Sequence, residues 1–118
     1  MSNREIIFYK NHFNEFYLEQ NEKVRKKILQ TLVWIQTIER LPVSILKSIE
    51  GVNGLYEIRI EYNSNIFRIF CCFDKGCIVV LFNGFQKKSQ KTPKSEINKA
   101  KGLMNEYFES KENKDGKE

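Results

Sequence analysis

The sequence predicts an α+β domain: an antiparallel sheet with helices packed on one of its faces, in the order β-α-α-β-β-β-α. Three observations predict it. Period-two runs fill residues 55–62, 66–73 and 77–85, with short polar links between them. Apolar residues recur at spacings of three and four between residues 20 and 39. Thr92-Pro93 then introduces a last apolar stripe that runs to Phe108. A chain of 118 residues fits one domain with a single core. We place it at residues 1–109, followed by a polar, disordered tail at 110–118 (SKENKDGKE).

Each element has a local reason. Residues 5–9 (EIIFY) are β-branched and aromatic, which suits a short strand. Asn11 stands where it can cap the next helix, with Phe13, Phe16 and Tyr17 on one face. Val24, Ile28, Leu32, Ile35 and Ile38 mark the long amphipathic helix, and Leu29, Val33 and Trp34 broaden its apolar side. Lys23, Arg25, Lys26 and Lys27 read as its solvated face. Pro42 ends that helix. Residues 43–49 (VSILKSI) fit either a helical turn or a short strand, and Gly51 and Gly54 punctuate a loop.

Along 55–62, Tyr56, Ile58, Ile60 and Tyr62 share one face, while Glu57, Arg59 and Glu61 share the other. The two acids read as exposed charge partners of Arg59. Asn63-Ser64-Asn65 turns the chain. Residues 66–73 (IFRIFCCF) are apolar on both faces except at Arg68. Asp74-Lys75-Gly76 is a tight hairpin link, and 77–85 (CIVVLFNGF) completes a meander. A basic loop at 86–91 leads to Thr92 as N-cap and Pro93 at the first helical position. Ile97, Ala100, Leu103, Met104, Tyr107 and Phe108 form the stripe of the last helix.

Composition excludes several classes. With 41% hydrophobic and 13% aromatic residues the chain is not a disordered polymer. No apolar run is long enough to span a membrane, and the N-terminus lacks the pattern of a signal peptide, so a soluble, cytoplasmic protein with no membrane partner is expected. All three cysteines lie between 71 and 77, and the one histidine, His12, is remote from them. Reduced core cysteines are therefore expected, with no metal site and no cofactor. His12 reads as a surface or capping residue. No glycine-rich phosphate loop is present, since GVNG at 51–54 lacks the Lys-Ser/Thr that must follow.

What remains is positive charge. Residues 84–101 hold six lysines (87, 88, 91, 94, 99 and 101) against Glu96 alone, and so carry the whole net charge of +5. A concentrated basic segment suits a polyanion, or is simply a solvated loop. Arg68 in an apolar run must find a buried partner, reach solvent or serve a ligand. If the meander brings Arg59, Arg68 and the 85–88 segment onto one concave surface, guanidiniums and ammoniums meet an aromatic ring. That set suits RNA: arginine takes phosphate bidentately, lysine neutralises the backbone, and the ring stacks on an unpaired base.

The segments GVNGLYEIRI (51–60), IFRIFCCF (66–73) and above all LFNGFQKKSQKTPKSEINKAKGLMNEY (81–107) resemble the phage-derived branch of the RelE/HigB-like toxins. These are the toxin halves of bacterial type II toxin–antitoxin pairs. The resemblance implies a RelE-like fold and a ribosome-dependent mRNA endonuclease that inhibits translation. It implies metal-free chemistry, in which the ribose 2′-OH attacks the adjacent phosphate. Arg59, Arg68, Lys87 and Lys88 would be catalytic, with the arginines on the scissile phosphate and the lysines stabilising charge. Phe85, Lys91 and Lys94 would bind RNA. The implied partners are mRNA and the ribosome, a helix-turn-helix antitoxin of the HigA type, and operator DNA through that antitoxin. No histidine lies near the motif, so the acid and base are unassigned; Tyr56 and Tyr62 share the face given to the core. Two other readings stay open: a ParE-like gyrase poison, and an inactive module that binds antitoxin or nucleic acid.

Overall fold

The computed structural model describes residues 3–88 and 91–115. Residues 89–90 of the expected basic loop and 116–118 of the expected tail lie outside them. The elements are β1 (Glu5–Phe8), α1 (His12–Leu18), α2 (Glu22–Thr37), β2 (Leu46–Ser48), β3 (Leu55–Tyr62), β4 (Asn65–Asp74), β5 (Ile78–Lys87) and α3 (Lys94–Asp115). The α+β class and the central meander are as the periodicities predict. The ambiguous 43–49 segment resolves as a turn followed by β2. Among the described residues no helix is long and apolar enough to cross a membrane.

The five strands lie in the order β1-β5-β4-β3-β2. The sheet is antiparallel except at one edge, where β1 runs parallel to β5. The β3–β4 hairpin turns through Asn63 and Ser64, both with positive φ (49° and 67°), the two-residue geometry that matches strand twist. α2 is capped by Asn21, whose side chain accepts from the Val24 N–H at 2.9 Å. At its other end the Arg4 guanidinium donates to the carbonyls of Ile35, Ile38 and Glu39 at 2.7–2.9 Å. Asn11 does not cap α1 with its side chain; its carbonyl takes the Glu15 N–H instead.

The expectation that helices pack on one face needs correction, because the sheet is covered on both. Phe67, Ile69 and Cys71 of β4 pack with Phe13 and Phe16 of α1 and Val24, Ile28, Leu32 and Ile35 of α2. Their alternates Phe70 and Cys72 pack with Ala100, Leu103 and Met104 of α3. A strand apolar on both faces, as 66–73 is, requires cover on both. Leu29 and Val33 are half exposed and do not join the core. Cys71 and Cys72 are buried as expected, which pushes both thiols up, Cys72 to about 12, but Cys77 is exposed in the β4–β5 turn.

α3 also departs from expectation at both ends. The Pro93 carbonyl takes the first helical bonds, from Glu96 and Ile97, so Pro93 precedes the helix proper. The helix runs on to Asp115, so residues 110–115 are helical where a polar tail is expected. Lys111 has a reason to be there: its ammonium meets the Asp74 carboxylate at 2.5 Å, beside the Tyr107 hydroxyl at 2.6 Å.

Candidate active site

One irregularity in the sheet builds the site. Ile69 pairs with Gly84 and Cys71 with Leu81, so Phe82 and Asn83 together oppose the single residue Phe70. This bulge shifts the alternation of β5 by one. Before it, Val80 and Phe82 face α3. After it, Asn83, Phe85 and Lys87 face α3 instead: Asn83 donates to the Glu96 carboxylate at 3.1 Å, and Phe85 stacks on Phe70 at 5.6 Å. Gly84 is thereby turned toward α1, where a Cβ would stand 2.6 Å from the Phe16 ring. Without the extra residue Lys87 would lie on the α1 side of the sheet, away from Arg68.

Lys87 and Arg68 instead share a cleft of about 380 Å³ between the sheet, the start of α3 and β2. Lys47, Glu50, Glu57 and Lys91 complete its charged lining, with Ile97 and Thr92 at the α3 side. Arg68 donates to Glu57 Oε1 at 2.8 Å. Both residues are more than nine-tenths buried, at 8% and 5% exposure. Glu57 therefore does not serve Arg59 on an exposed face, as the alternation suggests. It sits diagonally across the ladder from Arg68 and neutralises it. Glu57 Oε2 and Arg68 Nε, both buried, have no protein partner. Burial holds the Lys87 ammonium below its ordinary 10.5, and Arg68 adds to the effect, while Glu57 opposes it.

The expected cations do not all converge. Arg59 stands opposite Arg68 in the ladder, but its guanidinium pairs with Glu61 at 3.1 Å. It lines a neighbouring cleft with residues of α2. β2 pairs β3 as far as Ile58, and the Arg59 N–H still donates to the Ile45 carbonyl at 2.8 Å, so no strand covers the β3 edge beyond Arg59. Lys88 and Lys94 are exposed and are not in the lining of the Arg68 cleft. The Phe85 ring is half-buried and already stacked on Phe70. Tyr56 and Tyr62 pack on the α1–α2 side, as read from the alternation. His12 opens α1, outside the cleft lining. Among the described residues no three His, Cys, Asp or Glu side chains gather where they could hold a metal ion.

Lys47, Glu50 and Glu57 are the charged lining residues that sequence reasoning missed. Strict alternation put Glu57 on a polar face, and only the arginine facing it across the hairpin marks that face as buried. The hairpin register was readable from the Asn63-Ser64 turn, and it carried the signal.

A family model described as phage-derived protein Gp49-like (DUF891) matches residues 15–105. The chain belongs to this family. Its match takes in α1 through most of α3, and so every lining residue of the Arg68 cleft. No curated protein matches the chain. As a member of the Gp49-like family the chain is an α+β protein in which two buried charges, Glu57 and Arg68, pair across β3 and β4.

Proposed function

We propose that this protein is a RelE/HigB-like toxin of a type II toxin–antitoxin pair, a ribosome-dependent mRNA endonuclease of the cytoplasm. The observation that carries the reading is the cleft in which a buried carboxylate, Glu57, lies with Arg68 and Lys87. Transfer of a phosphoryl group to a ribose 2′-OH needs a proton acceptor, a cation for the phosphorane and a proton donor. Glu57 Oε2 accepts the 2′-OH proton as O2′ attacks phosphorus. Arg68 stabilises the charge that builds on the equatorial oxygens. Lys87, whose burial makes its proton easier to give up, donates to O5′ as the P–O5′ bond breaks. The products are a 2′,3′-cyclic phosphate and a free 5′-hydroxyl. Lys47 and Lys91 hold the flanking phosphates. Arg59 binds the strand beside the scissile position rather than at it.

A helix-turn-helix antitoxin of the HigA type silences the toxin in this reading and carries it to operator DNA. The antitoxin does not use the α3 stripe, because Leu103 and Met104 are buried against the toxin's own sheet. A purified-ribosome cleavage assay beside a gyrase supercoiling assay tests the proposal. Wild-type protein should cut ribosome-bound mRNA, leave cyclic phosphate ends and spare supercoiling. Intact mRNA with inhibited supercoiling would replace it with the gyrase-poison reading.

A further inference from the structure

Beside the Arg68 cleft is a second one that the cleavage chemistry leaves unused. It measures about 300 Å³ and lies between α2 and the end of β3 that β2 leaves uncovered. Lys27, Thr31 and Trp34 line it from α2, Ser44 and Ile45 from the turn before β2, and Arg59 and Glu61 from β3. Trp34 is the only tryptophan of the chain, and it is half-buried. The Lys27 ammonium lies over its ring, 5.1 Å from the centroid. Two cations and one large aromatic ring thus meet in a concave surface, on the side of β3 where no strand pairs.

The place of this cleft is set by Arg59, which is cross-strand neighbour to Arg68. Opposed residues of a ladder are about 5 Å apart at Cβ. A strand bound at Arg68 therefore reaches Arg59 within one nucleotide. Resting on the nuclease reading of the Arg68 cleft, we infer that the Trp34 cleft holds the unpaired base of a nucleotide flanking the cut, in single-stranded RNA.

The base stacks on Trp34, and Lys27 and Arg59 take its phosphate. Both cations are held weakly at rest. The Arg59–Glu61 pair is open to solvent, with Arg59 half-buried and Glu61 exposed, so phosphate can replace or join it. A base stacked on tryptophan outweighs an exposed cation–π contact, so Lys27 yields the ring and turns to the backbone. Thr31 takes no part, since its hydroxyl is spent on the Lys27 carbonyl. Glu61, half exposed at the rim, is an acceptor suited to a base with an amino group.

Because Trp34 is the only tryptophan, the intrinsic emission of the full chain reports this cleft alone. The test titrates the protein with a short, end-labelled, 2′-O-methyl single strand that cannot be cut, and with its duplex. Emission and the anisotropy of the label are read together. The single strand should quench emission along the same isotherm as the anisotropy, and the duplex should not quench. Trp34→Leu should weaken single-strand binding about tenfold, the effect of losing one stacked base. Lys27→Gln provides a second variant on a half-buried, polar position, and should weaken binding and lower its salt slope. Anisotropy that rises with unchanged emission, and with both variants binding like wild type, would overturn the subsite and leave the nuclease reading standing. No rise in anisotropy at all would also overturn the subsite, and the ribosome cleavage assay alone would then decide the nuclease reading.

Discussion

Arg59 and Arg68 stand directly opposite each other across the β3–β4 ladder, yet each is held by its own carboxylate. Like charges in that relation repel. Glu61 draws Arg59 outward at 3.1 Å, and Glu57 draws Arg68 inward at 2.8 Å. Two arginines that look equivalent in the sequence are thereby divided between two clefts. Their energetics differ as well, because one pair is exposed and the other buried.

The buried pair should be costly to break from either side. Arg68→Ala or Glu57→Ala leaves a charge inside with no counterion and should lower stability by about 3–5 kcal/mol. The double change Arg68→Met with Glu57→Leu should recover most of that loss, while Arg59→Ala should cost under about 1 kcal/mol. Urea unfolding of the four proteins measures this. A double variant as unstable as the sum of the two alanine variants would contradict the pairing.

Gly84 should not tolerate a methyl group. A Cβ there would meet the Phe16 ring at 2.6 Å, inside any ordinary contact. Overpacking of this kind costs about 1–3 kcal/mol. Gly84→Ala should lower the melting temperature, and Phe16→Leu in the same chain should restore part of it. An unchanged melting temperature for Gly84→Ala would show that α1 shifts freely on the sheet.

Lys87 should shape the alkaline side of the pH–rate profile. Its ammonium is held below 10.5, chiefly by burial and then by Arg68. As the donor it must be protonated, so cleavage should fall as pH rises through that lowered value, with the descending limb beginning below pH 10.5. Lys87→Arg keeps the charge at every accessible pH and should remove the limb while slowing the reaction. Single-turnover cleavage across pH reads the outcome; a limb that persists in the variant would exclude Lys87 as donor.

Asp74 should make α3 acid-sensitive. Lys111 first, and then the Tyr107 hydroxyl, hold its carboxyl below the ordinary 3.8. A carboxyl with a lowered folded value adds stability that is complete above its unfolded value and is lost as pH falls through the folded one. Stability should therefore decline below about pH 4, and Asp74→Asn should flatten that decline. Thermal melts from pH 2 to 7 compare the two. Parallel curves would place the acid sensitivity elsewhere.

The meander and both helices of the N-terminal half were legible because period and turn chemistry agreed there. Asn63-Ser64 sits between two runs whose apolar residues stay in step, so hairpin and register follow from local rules. The three-residue β2 was not legible, since Leu46, Lys47 and Ser48 carry no period. The face chosen by α3 was not legible either: a stripe states that something is buried, not against which side of the sheet. For the site, Arg68 could be singled out by its apolar neighbours, but its partner shows only once the hairpin register is applied. Glu57 alternates with apolar residues as a solvated side chain does, and burial by α3 and β2 reverses that meaning. The bulge at Phe82 and Asn83 does leave a mark, since Asn83-Gly84 interrupts the apolar run of β5 and a glycine inside a strand signals such an irregularity, but that pair does not say which way the alternation shifts.

The pairing of β1 with β5 joins residues 5–8 to residues 78–81, some seventy residues further along the chain. Closing so long a loop is slow, and it cannot begin on the ribosome until β5 has emerged. The cleft waits longer still, for Lys87, Lys91, Thr92 and Ile97 all belong to the last third of the sequence. Under the proposed activity, the ribosome that makes this protein must translate past Ile97 before the nascent chain can hold a message. Topology then acts as a timer: a nascent chain is unable to cut until the start of α3 has emerged and closed the cleft.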